Sequence, residues 1–134
     1  GYQLALDEAK IEVDADLVLD GDFTAESGVR AIETLLARGE AFTAVFAAND
    51  MTAFGARLAL YRQNLHVPKD VSIVGFDDQA EAAFMAPPLT TIRQPAGEMG
   101  RCASRALLDL IDGKPFRPNS LSSELQVRES VRSL

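Results

Sequence analysis

Two apolar runs in this chain each end in amide- or carboxylate-bearing residues just before a helical pattern begins. The first, Ala44 to Ala48, leads into Asn49 and Asp50, and the second, Val71 to Phe76, leads into Asp77 and Asp78. In open α/β sheets, ligands bind just beyond the carboxyl ends of the strands. We therefore predict that these four polar side chains lie along the rim of one cleft.

Helix and strand patterns alternate along the chain, which predicts an α/β fold with a doubly wound parallel sheet and right-handed crossovers. Gly39 ends one predicted helix, and the chain turns at Pro68 before the next strand. Pro87-Pro88 forces an extended path, and 115–118 is predicted to be a loop. The predicted helices are Tyr2–Lys10, Thr24–Arg38, Met51–Gln63, the short Gln79–Met85 and Glu98–Ile111, and the predicted strands are Asp16–Asp20, Ala44–Ala48, Val71–Phe76, Leu89–Arg93 and Leu121–Val127, the last at the sheet edge.

Composition narrows the range of partners. A chain of 134 residues with 47% apolar residues fits one domain or a large part of one, and its net charge of -7 argues against this segment gripping a nucleic-acid backbone. No apolar run is long enough to span a membrane, and the opening GYQLALDEAK does not resemble a signal peptide. The single cysteine, Cys102, is expected to be buried in a helix. One cysteine cannot form a disulfide within the chain, and the absence of disulfides fits a reducing cytoplasm.

Four motifs together resemble one family. The runs VFAANDMTAFGARLAL, VSIVGFDD, GDF and PPLTTIRQP are similar to the effector-binding domain of lac-repressor/gal-repressor (LacI/GalR) transcription regulators, and the resemblance covers nearly the whole chain. It implies one lobe of a type I periplasmic-binding-protein-like domain. Residues 1–93 would form the C-terminal lobe, 94–118 a crossover and helix belonging to the N-terminal lobe, and 119–134 the return strand and tail. The N-terminal lobe and the DNA-binding headpiece are expected to lie outside this sequence.

The resemblance also assigns roles to individual residues. Asp77 would accept hydrogen bonds from effector hydroxyls, Asn49 would line the same site, and Phe23 would lie against the face of a sugar ring. Each has a structural alternative: Asp77 or Asp78 could cap the next helix, and Phe23 could belong to the core. We expect Asn49 to face the cleft and Asp50 to cap the helix that follows, with Asp78 structural and Thr24 capping the helix after GDF.

A dimer is also implied. Phe54, Phe84 and Met85 match positions of the family's dimer interface, with core packing as the alternative for each. If the N-terminal lobe is absent, the helix 98–111 is expected to dock on its own lobe, to pair with another copy, or to be poorly ordered, because exposed apolar stripes drive association. An effector-binding arginine of the family falls before Gly1, so we expect this segment alone to bind effector weakly.

The sequence thus predicts the effector-binding part of a sugar-responsive, cytoplasmic, homodimeric repressor, which would reach operator DNA through its headpiece. It is expected to have no cofactor, no metal and no enzymatic activity, because His66 is a lone loop histidine and no nucleotide-binding glycine motif is present. One alternative is a periplasmic sugar-binding receptor of a transport system. Another is a metal-dependent hydrolase or phosphotransferase that uses the acidic edge formed by Asp20, Asp22, Asp50, Asp77 and Asp78.

Overall fold

The computed structural model of the protein describes residues 1–115 and 120–133. Within them the chain alternates helices with short strands, as the patterning predicted. The α-helices are α1 (Tyr2–Glu8), α2 (Ala25–Arg38), α3 (Asp50–Arg62) and α4 (Ala96–Ile111), the strands are β1 (Ala44–Phe46), β2 (Ser72–Val74), β3 (Thr91–Arg93) and β4 (Glu124–Gln126), and two 3₁₀ turns span Ala15–Leu17 and Ala80–Phe84.

The sheet is mixed. Strands β1 and β2 pair in parallel, with Val45 opposite Ile73, and the parallel bridges Val74–Thr90 and Asp77–Arg93 join β3 to the other side of β2. Strand β4 runs antiparallel to β3, with Ile92 opposite Leu125. The parallel pairing of β1 with β2 confirms the predicted parallel α/β sheet, and the two bridges join the antiparallel β3–β4 pair to it, with β4 on the far side of β3, which fits the edge position predicted for the last strand.

Helices α2 and α3 pack against each other and against the sheet. Helix α2 begins at Thr24, whose hydroxyl accepts a hydrogen bond from the Ser27 amide, and it ends at Gly39 in the left-handed conformation. The two backbones nearly touch, because a Cβ atom added to Gly28 would lie 2.1 Å from the Thr52 carbonyl oxygen. The buried core below them contains Ile32, Leu35, Ala47, Ala53, Ala56, Ala59, Leu60, Val71, Ile73, Ala82 and Leu89.

One predicted element was wrong, and another is shorter and more tightly wound than predicted. The run 16–20 forms no strand: the Asp14 carboxylate accepts the Asp16 amide and initiates a 3₁₀ turn, after which Val18 is extended without a strand partner in the described chain. The predicted short helix 79–85 is a 3₁₀ turn of five residues. The predicted loop 115–118 and the predicted domain boundary at 118/119 fall largely on 116–119, outside the described residues.

Helix α4 has the amphipathic pattern that was predicted, but none of its residues is buried. Leu107, Leu108 and Ile111 are all more than half exposed, and Cys102, which we expected to be buried, is half-buried. Of the three outcomes expected for this helix, docking on its own lobe is therefore excluded, and pairing with another copy stays a prediction. No helix within 1–115 and 120–133 combines the length and the apolar character needed to cross a membrane.

Candidate functional site

The rim of the sheet beyond β1 and β2 brings together the polar residues that the sequence singled out. The Asp50 amide, in the first turn of α3, donates to the Phe76 carbonyl at 2.8 Å, which ties the segment after β1 to the segment after β2. From the other side, the Asp77 amide donates to the Ile92 carbonyl of β3 at 2.9 Å. Three chain segments therefore converge at one edge, as expected for the ligand-binding edge of such a sheet.

Phe23 stands exposed at this edge, in the turn that precedes α2. Its side chain is 64% exposed, so it is not a core residue, and its φ of 63° lies in the left-handed region. The turn is built by Asp22, whose carboxylate accepts both the amide and the hydroxyl of Thr24. These hydrogen bonds, the side-chain one foremost, lower the pKa of Asp22 to about 2. The aromatic ring is thus exposed to solvent on a turn that these hydrogen bonds hold in place.

Asn49, not Asp50, caps α3, so this part of the prediction was wrong. The Asn49 Oδ1 atom accepts the Thr52 amide at 2.9 Å, and its Nδ2 atom donates to the Phe23 carbonyl at 2.9 Å. These two bonds use one of the two amide protons and one of the two lone pairs of the side chain. The other proton and lone pair have no hydrogen-bond partner in the described part of the chain.

Asp50 is instead fully buried beneath the rim. Its Oδ1 atom accepts the Thr91 hydroxyl at 2.5 Å, and its Oδ2 atom accepts the Gln79 amide at 2.8 Å. Burial raises the pKa of Asp50, the two hydrogen bonds oppose this rise, and the nearby charges of Asp77 and Asp78 add to it. Asp50 is therefore a structural carboxylate that joins the start of α3 to β3.

Asp77 is held with its carboxylate at the rim. Its φ of 116° is rare for a residue with a side chain, and its Oδ1 atom accepts the Gln94 side-chain amide at 2.7 Å. Gln94 is its side-chain partner within the described residues. The second oxygen remains able to accept hydroxyl groups.

Asp78, by contrast, forms ion pairs with two arginines. Its side chain is 6% exposed, and it accepts hydrogen bonds from Arg128 at 2.5 Å and from Arg93 at 2.6 Å. Burial tends to raise the pKa of Asp78, but the hydrogen bonds and charges of Arg128 and Arg93 outweigh it and lower the pKa. The expectation that Asp78 is structural agrees with this geometry. Of the two adjacent carboxylates, Asp77 is the one that has no cationic partner within 1–115 and 120–133.

The residues predicted for a dimer interface lie apart from the rim contacts. Phe54 is half-buried and lines a groove between α2 and α3 with Val29 and Leu58. Phe84 is 87% exposed at the end of its 3₁₀ turn, and Met85 is half-buried. Core packing thus explains the partial burial of Phe54, but it does not explain the presence of Phe84, whose side chain is exposed.

Several residues of the site were not predicted. Thr91, Arg93 and Gln94 lie in the PPLTTIRQP motif, which was noted as a whole without a role for its members. Arg128 had no local signal, because it lies 50 residues from its partner Asp78. A long-range ion pair of this kind leaves no periodicity or spacing to read.

The acidic edge does not gather into a metal site. Asp22 pairs with Arg30, Asp78 pairs with two arginines, and Asp50 is fully buried. No cluster of three or more potential metal-ligating side chains is found within 1–115 and 120–133. The rim instead presents an acceptor carboxylate, a side-chain amide and an exposed aromatic ring.

The fold and this rim define a class of protein. A family model for the periplasmic binding protein-like domain matches residues 1–131, and the chain belongs to this family.

Its relatives are transcription regulators. The chain is 40% identical over 139 residues to the HTH-type transcriptional repressor PurR of Haemophilus influenzae (strain PittEE), covering 100% of this chain and 41% of the relative.

Solved structures agree with this relationship. A transcriptional regulator CelR–cellobiose complex superposes with a TM-score of 0.90 at 43% identity, covering 96% of this chain and 40% of that one. The lac repressor dimer bound to operator and the anti-inducer ONPF superposes with a TM-score of 0.90 at 33% identity, covering 99% and 46%. The chain thus spans less than half the length of these relatives, and it corresponds to part of the effector-binding domain of such repressors.

Proposed function

We propose that this chain is the effector-binding part of a transcriptional repressor and that its effector is a sugar or a related polyol. One observation carries the proposal: Asp77 keeps a carboxylate oxygen at the strand-end rim while the adjacent Asp78 is neutralised by Arg93 and Arg128. A carboxylate without a cationic partner accepts hydrogen bonds from neighbouring hydroxyls and repels anionic ligands.

Phe23 and Asn49 complete the proposed site. The exposed ring of Phe23 offers a flat apolar surface for the C–H face of a sugar ring, and the remaining proton and lone pair of Asn49 suit a hydroxyl that both donates and accepts. The similar CelR protein was solved with cellobiose, which supports a carbohydrate as the ligand class.

The proposed whole protein has two lobes and acts as a dimer on DNA. Residues 1–93 would form the C-terminal lobe, 94–118 a crossover with α4 packed on an N-terminal lobe, and 119–134 the return strand and tail. The exposed apolar stripe of α4 supports this division, since such a stripe requires a partner surface. Phe54, Phe84 and Met85 would lie in the dimer interface, where aromatic residues and Met are enriched, and the similar lac repressor is a dimer bound to operator.

As a DNA-binding regulator the protein would act in the cytoplasm and would catalyse no reaction. Relatives named as transcriptional repressors favour this function over that of a transport receptor. The ligand would act by binding one arrangement of the lobes better than the other, because equal affinity for both would shift nothing.

Substitution of Asp77 tests the proposal. Calorimetric titration uses a chain extended at its N-terminal side by the natural coding sequence and a panel of D-ribose, D-glucose, D-galactose and cellobiose. Asp77→Asn keeps the size of the side chain and its tolerance of positive φ but removes the charge. We expect it to weaken binding of the preferred sugar about 10- to 100-fold, the range of a charge-assisted hydrogen bond.

Asp7→Asn is the matched control, because Asp7 is exposed on α1 and the chemical change is identical. Equal sugar affinity in Asp77→Asn and in the control would remove Asp77 from the site. If no sugar of the panel binds to the unaltered chain, the proposed ligand class is wrong.

A further inference from the structure

The turn that carries Phe23 is held in an unfavourable backbone conformation. Phe23 has a φ of 63°, which residues with a Cβ rarely adopt, and its ring is mostly exposed, so core packing does not hold it there. The Asp22 carboxylate fixes Thr24, the residue after Phe23, by accepting a hydrogen bond from its amide at 3.1 Å. The Phe23 carbonyl itself is bound by Asn49 from α3, 26 residues along the chain.

Asn49 is well placed to link the turn that carries Phe23 rigidly to the start of α3. At one end, its Oδ1 atom accepts the Thr52 amide and caps α3. At the other, its Nδ2 atom reaches the Phe23 carbonyl at 2.9 Å. Helix α3 is in turn packed tightly on α2, since a Cβ atom added to Gly55 would lie 1.7 Å from the Ala25 carbonyl oxygen. The Asn49 side-chain amide is therefore hydrogen-bonded at both ends, to the first turn of α3 and to the turn before α2, and these two helices are packed closely together.

We propose that Asn49 is a positioning residue for Phe23 and fixes the aromatic platform of the ligand site. Ser, Thr and Asp also cap helices, but among the preferred capping residues Asn can accept from the helix amide and at the same time donate through an amide to a carbonyl across the gap. This explains why an amide is needed at this position. The role of the Phe23 ring in ligand binding rests on the proposed function, whereas the positioning role of Asn49 is tested without any ligand.

The test compares Asn49→Asp with the unaltered 134-residue chain by ¹⁵N relaxation. Aspartate keeps the cap on Thr52 but cannot donate to the Phe23 carbonyl. We expect the order parameters of the Phe23 and Thr24 amides to fall from about 0.85 to below about 0.6, the change from a rigid to a flexible backbone. The Thr52 amide should keep its protection from hydrogen exchange, because its acceptor is retained.

Two further variants sharpen the test. Asn64→Asp makes the same chemical change at an exposed residue just past the far end of α3, about 20 Å away along a 13-residue helix. It should leave both order parameters unchanged. Asn49→Ser keeps a neutral cap but removes the reach to Phe23, and it should loosen the turn as Asn49→Asp does.

Three outcomes would contradict the positioning role of Asn49. Phe23 and Thr24 could stay rigid in Asn49→Asp, they could loosen equally in Asn64→Asp, or they could stay rigid in Asn49→Ser, which would attribute any loosening in the aspartate variant to charge repulsion. A failure of all sugars to bind would contradict the proposed function and would leave these measurements standing.

Discussion

Asp50 is the residue whose environment departs furthest from that of an ordinary carboxylate. It is fully buried, it accepts hydrogen bonds from Thr91 and Gln79, and Asp77 and Asp78 lie close enough to raise its pKa further. The folded protein thus keeps an ionisable group where its charged form is disfavoured. We infer that the position is retained for the two directed hydrogen bonds that lock β3 to the start of α3.

The pH dependence of stability should reveal this burial. Because the pKa of Asp50 is raised on folding above its ordinary value of 3.8, its favourable contribution is complete below that value and is lost as the pH rises through the folded pKa. Asp50→Asn removes the titration. We expect the stability of Asp50→Asn relative to the unaltered chain to improve between pH 4 and pH 7, as measured by urea unfolding. Parallel pH profiles for the two chains would show that Asp50 does not titrate with a raised pKa.

The order of roles at Asn49 and Asp50 shows where sequence reasoning stopped at this scale. Both residue types are good helix caps, so the pair itself does not say which one caps. The choice depends on Thr91 and Gln79, which surround the second residue with donors and lie 41 and 29 residues further along the chain. Local patterning cannot supply that information. The position of Asp77 at the rim followed from a strand end, whereas Phe23 was singled out by the family resemblance, because the strand predicted before it does not form. The ligand contacts of both residues stay predictions.

At the scale of elements, α2 and α3 were the most predictable part of the fold. Thr24, Gly39 and the apolar spacing of α2 are local signals, and the structure places the cap and the stop at these residues. The predicted strand at 16–20 failed because the Asp14 carboxylate captures a nearby amide and turns the chain. Polar side chains that compete for the backbone override a short run of apolar residues.

The close contact of the two helices gives a testable consequence. Gly55→Ala would place a methyl group 1.7 Å from the Ala25 carbonyl oxygen, so the helices must separate. We expect a loss of about 3 kcal/mol in the free energy of unfolding, at the upper end of overpacking effects. Thermal and urea unfolding measure it. The matched control is Gly100→Ala in α4, where an added methyl group meets nothing within 4 Å and better helix propensity should stabilise by up to about 1 kcal/mol. Equal stability of the two variants would contradict the tight packing.

The whole molecule is closed by residues that follow β4. The Arg128 side chain, 18% exposed, binds the Asp78 carboxylate and the Leu89 carbonyl, and the buried Ser130 hydroxyl donates to Ile73 and accepts from Thr90. These contacts tie the last described segment to β2, to the segment after it and to the residues just before β3. The alternation of helices and strands predicted the sheet, but nothing in a single sequence indicated these contacts across 39 to 57 residues.

Loss of the Arg128 contact should affect global stability. Arg128→Gln leaves the buried Asp78 charge with Arg93 alone, so we expect a destabilisation of about 3 kcal/mol, typical of breaking a buried ion pair. Urea unfolding at pH 7 measures it. Arg132→Gln is the control, because the exposed Arg132 side chain binds the Lys69 carbonyl and pairs with no carboxylate of the described residues. The double variant Arg128→Gln, Asp78→Asn should recover part of the loss, and full additivity of the two changes would argue against the ion pair.

The same closing segment has a consequence for biosynthesis. Ile73, Asp78 and Thr90 leave the ribosome well before Arg128 and Ser130, whose side chains complete their hydrogen bonds and charge balance. Until these residues are made, the Asp78 carboxylate has Arg93 as its cationic partner without Arg128, and the Ile73 carbonyl and the Thr90 amide lack the Ser130 hydroxyl. Products truncated upstream of Arg128 would retain these defects and would be preferred substrates for proteases and chaperones, since both recognise chains that cannot close their cores.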